Sequence, residues 1–310
     1  MSKLNDFAKP DYSKPLFGIV PTIFTECFKK EIGNPYEDYI IKPRGLRNSF
    51  LESDIAIVLI FDALGAKNIE GKFRELWVKN NRKTLSSVFP TLTAPAAVSL
   101  YVGAPPEVHG IMSTKIYLRE IGNYIDTLSG RAIGSSVKLR QAGVDIESFL
   151  WIKPILSKVP NDVIMVDFLP YWLVKEGGLR DFYGRYVYPV GFDGEVDAIF
   201  LLKRLLNFLL TKNKKALIFV YFSFSDSFGE VHGPKNMGWN EINDSAYLIS
   251  KKIIQIIGSM GKKVSLFIIS DHGMVDIRDY VTLSKENMDA LESLGVNFFA
   301  RSGRFASVFL

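Results

Sequence analysis

The sequence predicts an α/β protein with a largely parallel central sheet and helices on both faces. Three observations predict it. Four short runs are almost continuously apolar, as strands covered on both faces are. The segments joining them carry apolar residues at spacings of three and four, the period of a helix. Strand, helix, strand in that order calls for right-handed crossovers and a parallel sheet. At 310 residues, 47% hydrophobic and 23% charged, the chain is long enough for one large core and a small cap.

The first strand is IAIVLIF, Ile55 to Phe61, which runs straight into Asp62. In VFPTLTAPAAVSLYVG, Val88 to Gly103, the chain turns at Pro90. A helix is then expected to begin at Thr93, with Pro95 in its first turn and Gly103 closing it. From Met112 to Val190 the texture changes: Tyr, Gly and Pro are frequent, and IYLREIGNYIDTLSG alternates like a hairpin. Residues of about 112–190 therefore read as an insertion capping the carboxyl edge of the sheet. DVIMVDF, 162–168, is the second strand. Val196 to Thr211 is a helix so rich in Leu that it is expected to be mostly buried on the sheet. ALIFVYFSF, 216–224, is the third strand and leads through Ser225 to Asp226. A helix follows from the cap-like Asn240, with Ile242, Ala246, Ile249, Ile253 and Ile257 on one face and Gly258 at its end. VSLFIIS, 264–270, is the fourth strand and meets Asp271 and His272; GRFASVFL closes the chain with a strand-like run. No repeat, low-complexity tract or break in composition divides the chain, so residues 1–310 are expected to form a single domain.

The net charge of +5 comes from Lys and Arg spread along the chain, with short clusters such as KNKK around Asn213. No basic stripe with interleaved aromatics occurs, so no nucleic-acid-binding module is expected, and the charge favours small anionic substrates. The single cysteine, Cys27, excludes an intramolecular disulfide and a cysteine-built metal site. The opening residues lack a signal-like apolar core, and the longest apolar runs fall short of the ~18 residues that span a membrane. A cytoplasmic protein with no membrane association is the expectation. The sequence carries no signal of oligomeric state.

Three of the four strands end at an acid: Asp62, Asp226, and Asp271 with His272 beside it. Ligands of an open α/β sheet bind outside the carboxyl ends of the strands, which would bring these side chains to one crevice. Singly, each Asp reads as an ordinary turn or cap residue. Together, unpaired carboxylates repel one another, and a divalent cation resolves the conflict. Thr93 likewise has two readings, a helix cap or a nucleophile at a helix N-terminus beside a metal. Rival chemistries lack their motifs: no P-loop, no H-E-x-x-H and no G-x-S-x-G occurs.

The ordered set FDALG, FPTLTAP followed by GAPPEVHGI, SDSFGEVHGP and SDHGM resembles the alkaline phosphatase superfamily, most of all its type I phosphodiesterase and nucleotide pyrophosphatase branch. The likeness covers about Pro10 to Met274, and the opening KPDYSKPLFGIVPTIF is similar to archaeal members. It implies an alkaline-phosphatase-like fold and a metal-dependent hydrolase of small phosphate esters, cleaving phosphodiesters or nucleotide pyrophosphates. It also implies one complete metal site at Asp62, Thr93, Asp271 and His272, with Thr93 as a nucleophile passing through a phospho-threonine. One or two divalent ions are implied, zinc at the Asp62, Asp271 and His272 site, with manganese or magnesium as alternatives.

The branch's other metal site expects an Asp, a His four residues on, and a second His nearer the C-terminus. Asp226 supplies the first, but position 230 is Glu230, and the chain's only histidines are His109, His232 and His272. His109 matches a position that is structural in the family, under the nucleophile's helix. Glu230 is a weak replacement whose oxygen would shift preference towards manganese or magnesium, and His232, six residues from Asp226, is another. Ala96 stands where many relatives carry an Asn that steadies the phosphoryl oxygens, a donor whose loss can cost about 10²-fold in rate. These departures keep a second reading open: a pseudoenzyme or binding protein that retains the fold with a degenerate second site.

Overall fold

The computed structural model describes residues 11–32, 52–80, 83–261, 263–277, 284–295, 298–302 and 305–309. Five of its strands form one parallel sheet: β1 (Ile55–Phe61), β5 (Val163–Pro170), β6 (Tyr188–Phe192), β7 (Lys215–Phe222) and β8 (Val264–Ile269). Their order across the sheet is β6-β5-β7-β1-β8. A small antiparallel sheet holds β2 (Lys115–Leu118), β3 (Asn123–Asp126) and β4 (Arg131–Ala132), and β9 (Phe298–Ser302) pairs antiparallel with β10 (Phe305–Phe309). The helices that matter for the site are α1 (Gly71–Lys79), α2 (Thr93–Val102), α3 (Glu195–Thr211), α4 (Phe224–His232) and α5 (Trp239–Gly258). No helix among the described residues is long and apolar enough to cross a membrane.

The sheet is sandwiched between two cores, as the continuous apolar runs demand. Successive strand residues face opposite sides, so Ala56, Val58 and Ile60 of β1 enter one core with Leu217, Phe219 and Tyr221 of β7. Helix α2 and the segment from Leu16 to Phe28 fill that side. Ile55, Ile57, Leu59 and Phe61 enter the other core with Ala216, Ile218, Val220 and Phe222, beneath α3, α5 and Phe73 of α1. Helix α5 begins at Trp239, one residue before the expected Asn240, and buries Ala246, Ile249 and Ile253 of the expected face.

Three local expectations change. The stretch 112–190 is not one insertion: β2 and β3 form the expected hairpin, with Ile116 opposite Ile125, but β5 and β6 return the chain to the central sheet. Strand β6, YPVGF, was hidden by its Pro and Gly, which an edge strand tolerates. Helix α3 is not mostly buried: Ala198, Leu202, Leu206 and Leu209 form the one inward stripe, while Val196, Phe200 and Phe208 are exposed. Finally, β7 stops at Phe222 and α4 starts at Phe224, because Phe224 and Phe228, one turn apart, both pack on the second core. Asp226 therefore lies in the first turn of a helix and not at a strand tip.

Strand β1 sits between β7 and β8, and the three end level, with Phe61 opposite Phe222 and Ile60 opposite Ile269. Their carboxyl ends form the edge on which the acidic residues gather.

Candidate functional site

The loops after β1 and β8 are built against each other. Ala63 takes a left-handed φ of 58°, and its N–H donates to Asp271 Oδ1 at 3.2 Å. A Cβ on Gly65 would stand 2.6 Å from the Cα of Gly273, so the glycines of FDALG and SDHGM mark backbone-to-backbone contact. Beside them, Asn68 acts as a peptide mimic: its Oδ1 accepts from Met274 N at 3.1 Å and its Nδ2 donates to Met274 O at 3.1 Å. Its own carbonyl accepts from Trp239 Nε1 at 2.7 Å and Asn243 Nδ2 at 3.2 Å, which ties the clip to α5.

Asp62 and Asp271 are both buried. Asp271 Oδ1 accepts from the N–H groups of Ala63 and His272, and Asp62 Oδ2 accepts from the Tyr221 hydroxyl. Ser225 Oγ donates to Asp62 O, and Ser87 Oγ to Asp271 O, both at 2.5 Å. The remaining oxygens, Asp62 Oδ1 and Asp271 Oδ2, are buried without a hydrogen-bond partner. They lie 3.4 and 3.8 Å from His272 Nε2. His272 Nδ1 is 3.1 Å from Gly273 O, a carbonyl that only accepts, so Nδ1 donates there and Nε2 is the ring nitrogen that faces the acids. Burial, and then the charges of Asp271 and Asp226, push the Asp62 carboxyl well above its usual range.

Thr93 Oγ1 stands 3.1 Å from the same Nε2. Thr93 is the first residue of α2 and not its cap; Leu92 holds the cap position without a side-chain bond, so the Thr93 hydroxyl is free to face the cluster. Among the described residues, Asp62, Asp271 and His272 are the one group of three whose ligand atoms lie within 4.8 Å of one another. Two bare buried carboxylate oxygens and an imidazole lone pair are a donor set that a divalent cation satisfies, and their isolation in its absence is costly.

The expected second set is not assembled in the same way. Asp226 is half-buried, and its carboxyl is raised to about 6 by burial and by the charge of Glu230, with His272 opposing the shift. Glu230 and His232 are exposed, and the His232 ring lies against Phe228 with centroids 4.6 Å apart. His109 is fully buried, 2.8 Å from Ser99 Oγ on α2, and its Nδ1 accepts from Ile111 N at 3.1 Å. Burial lowers its pKa to about 3, so it is a neutral peg under the helix, as the resemblance implied. Ala96 is buried inside α2.

Sequence reasoning missed Tyr221, Ser225, Ser87 and Asn68. Tyr221 left one signal, a phenol that must find a partner at the carboxyl end of an otherwise apolar strand. The others left none, because a lone Ser or Asn in a loop reads as turn chemistry.

A family model described as type I phosphodiesterase / nucleotide pyrophosphatase matches residues 56–295. An uncharacterized pyrophosphatase/phosphodiesterase of Schizosaccharomyces pombe is 24% identical over 213 residues, covering 66% of this chain and 41% of its own length. Murine ectonucleotide pyrophosphatase / phosphodiesterase 5 is similar in structure, with a TM-score of 0.54 and 19% identity. An inactive threonine-to-alanine form of the same murine protein in complex with AMP gives a TM-score of 0.54 and 17% identity. Each alignment covers 74% of this chain and 62% of the murine one, so this chain spans less than two thirds of these relatives' lengths. Yeast and mouse relatives give the archaeal likeness no support.

Proposed function

The chain belongs to the type I phosphodiesterase / nucleotide pyrophosphatase family, and from that premise we propose that it is a divalent-metal-dependent hydrolase that opens a phosphodiester or nucleotide pyrophosphate bond with Thr93 as nucleophile. The observation that carries the reading is the convergence of Asp62 Oδ1, Asp271 Oδ2 and His272 Nε2, with Thr93 Oγ1 3.1 Å from the last.

Asp62, Asp271 and His272 would hold the cation. Bound there, it lowers the pKa of a neighbouring hydroxyl and neutralises charge on phosphoryl oxygens. Thr93 Oγ1, its proton released to solvent, would attack phosphorus in line; the P–O bond to the leaving group would break, the departing oxygen would take up a proton from solvent, and water would hydrolyse the resulting phospho-threonine. The N–H groups of Thr93 and Ala94 open α2 and have no partner within the helix, so they are available to the phosphoryl oxygens. Ala96 adds no side-chain donor. With Glu230, four residues after Asp226, standing in place of a histidine, the leaving oxygen would be held more weakly than in a complete two-metal site.

The N,O donor set supports zinc, with manganese and magnesium as competitors. A nucleotide substrate is supported by the AMP complex of the murine protein. A cytoplasmic setting belongs to the same proposal and rests on the single cysteine. Thr93→Ala is expected to abolish hydrolysis of bis(p-nitrophenyl) phosphate while the melting curve stays that of the folded protein; unchanged turnover would remove Thr93 from the reaction. The second reading, a binding protein that retains the fold, draws on the exposed Glu230 and His232. It predicts AMP binding without turnover in zinc, manganese or magnesium.

A further inference from the structure

The two buried acids divide their oxygens in the same way, one saturated and one bare, but by different means. Asp271 Oδ1 is saturated by two backbone N–H groups, which any sequence with this backbone provides. Asp62 Oδ2 has a side-chain donor, the phenol of Tyr221 on the neighbouring strand β7. Tyr221 is 5% exposed and packs in the first core, so the hydroxyl has little freedom to leave. Four residues on, Ser225 grips the main-chain carbonyl of the same Asp62. The β7–α4 corner therefore fixes Asp62 at both its carbonyl and its carboxyl.

We propose that Tyr221 is a positioning residue: by occupying Oδ2 it leaves Asp62 a single oxygen, Oδ1, to offer a cation, and so makes the site selective for a small ion that takes one oxygen from each carboxylate. The inference deepens the metal reading above and rests on it. Calcium takes six to eight oxygens at longer distances and accepts carboxylates through both oxygens. A site in which both acids are restricted to one oxygen, with an imidazole as third donor, suits zinc at four ligands. Without the phenol, the Asp62 carboxylate is free to rotate and to present both oxygens.

The test is calorimetric titration of zinc and of calcium, separately, into chelator-treated wild-type protein and Tyr221→Phe. Wild type is expected to bind one zinc and to bind calcium far more weakly. Tyr221→Phe is expected to bind zinc about 10- to 100-fold more weakly, the usual cost of removing a group that orients a metal ligand. Its affinity for calcium should hold or rise, so that the zinc-to-calcium ratio narrows. A variant that had only loosened the fold would lose affinity for both ions. Zinc affinity unchanged in the variant, or both affinities falling together, would overturn the role of Tyr221 while leaving the metal reading intact. Wild type that binds no cation would remove both. An independent readout needs no variant: in wild type labelled with ¹³C-aspartate, the infrared difference on adding zinc should show carboxylates bound through one oxygen. A two-oxygen signature there would overturn the inference even if Tyr221→Phe failed to fold.

Discussion

Asp62 and Asp271 lie buried side by side with one bare oxygen each, and that arrangement is a stability defect unless something positive joins them. Asp62→Asn removes one charge, keeps an acceptor for Tyr221 and supplies an N–H towards the bare oxygen of Asp271. In chelator the variant is expected to be more stable than wild type, by about 1–3 kcal/mol, and to lack the rise in melting temperature expected of wild type on adding zinc. Melting both proteins with and without zinc checks this; an unstabilised variant would mean that the acids do not repel in the folded state. At this scale the sequence was readable where chemistry-bearing residues follow strands directly. Asp62, Asp271 and His272 were visible because charged residues that close an apolar run lie at the carboxyl edge of the sheet, where ligands of this fold class bind. Thr93 was ambiguous in the sequence, since a cap and a nucleophile are written with the same residue. The structure puts it one place inside the helix and not at the cap, with its hydroxyl 3.1 Å from His272 Nε2.

Among the elements, the contact of the two site loops is the most sensitive point. Gly65→Ala puts a methyl 2.6 Å from Gly273 Cα, where backbone and not a flexible side chain must yield. A loss of about 1–3 kcal/mol is expected, with weaker zinc binding, because Asp62 and Asp271 are carried apart. Denaturant titration and calorimetry measure the two effects. A second sensitive point lies where Tyr101 of α2 reaches β5. Asp167 is fully buried there and accepts from Tyr101 of α2 at 2.9 Å and from Tyr183 at 3.3 Å, and the two rings are stacked 3.8 Å apart. Burial raises its pKa from 3.8 to about 7, against the two tyrosine bonds and the charge of Arg180. The folded state thus holds this proton more tightly than the unfolded chain does. The stabilisation it contributes is complete below pH 3.8 and is lost as the pH rises through about 7. Asp167→Asn is expected to flatten that part of the pH dependence and to be the more stable protein above pH 7, as read by denaturant midpoints across the range. None of this triad was legible, because strand 162–168 showed only a buried apolar run with one acid inside it. The edge strand β6 and the half-exposed α3 were misread for a related reason: Pro, Gly and Leu report local preference, while burial depends on what lies opposite.

For the whole molecule, sheet order carries the function. Placing β1 between β7 and β8 brings together segments that begin at Ile55, Lys215 and Val264, and it gathers at their ends Asp62, Asp271 and His272, a group that could hold a cation. Protein soaked in zinc and freed of excess is expected to retain one equivalent by elemental mass spectrometry, and chelation to lower its melting temperature by mass action. Two equivalents would mean that Asp226, with Glu230 or His232, has completed a second site. The sequence by itself determined the fold class, the four main strands, and Asp62, Asp271 and His272 just beyond the ends of two of them. Those are local properties, written as unbroken apolar runs that end in a charge. Tertiary structure alone decided which oxygens of those acids are bare, that Tyr221 holds Asp62 while Asn68 clips the loop at Met274, and that Glu230 and His232 are exposed. Such facts depend on distances between segments remote in the chain, and no local pattern encodes a distance across a sheet.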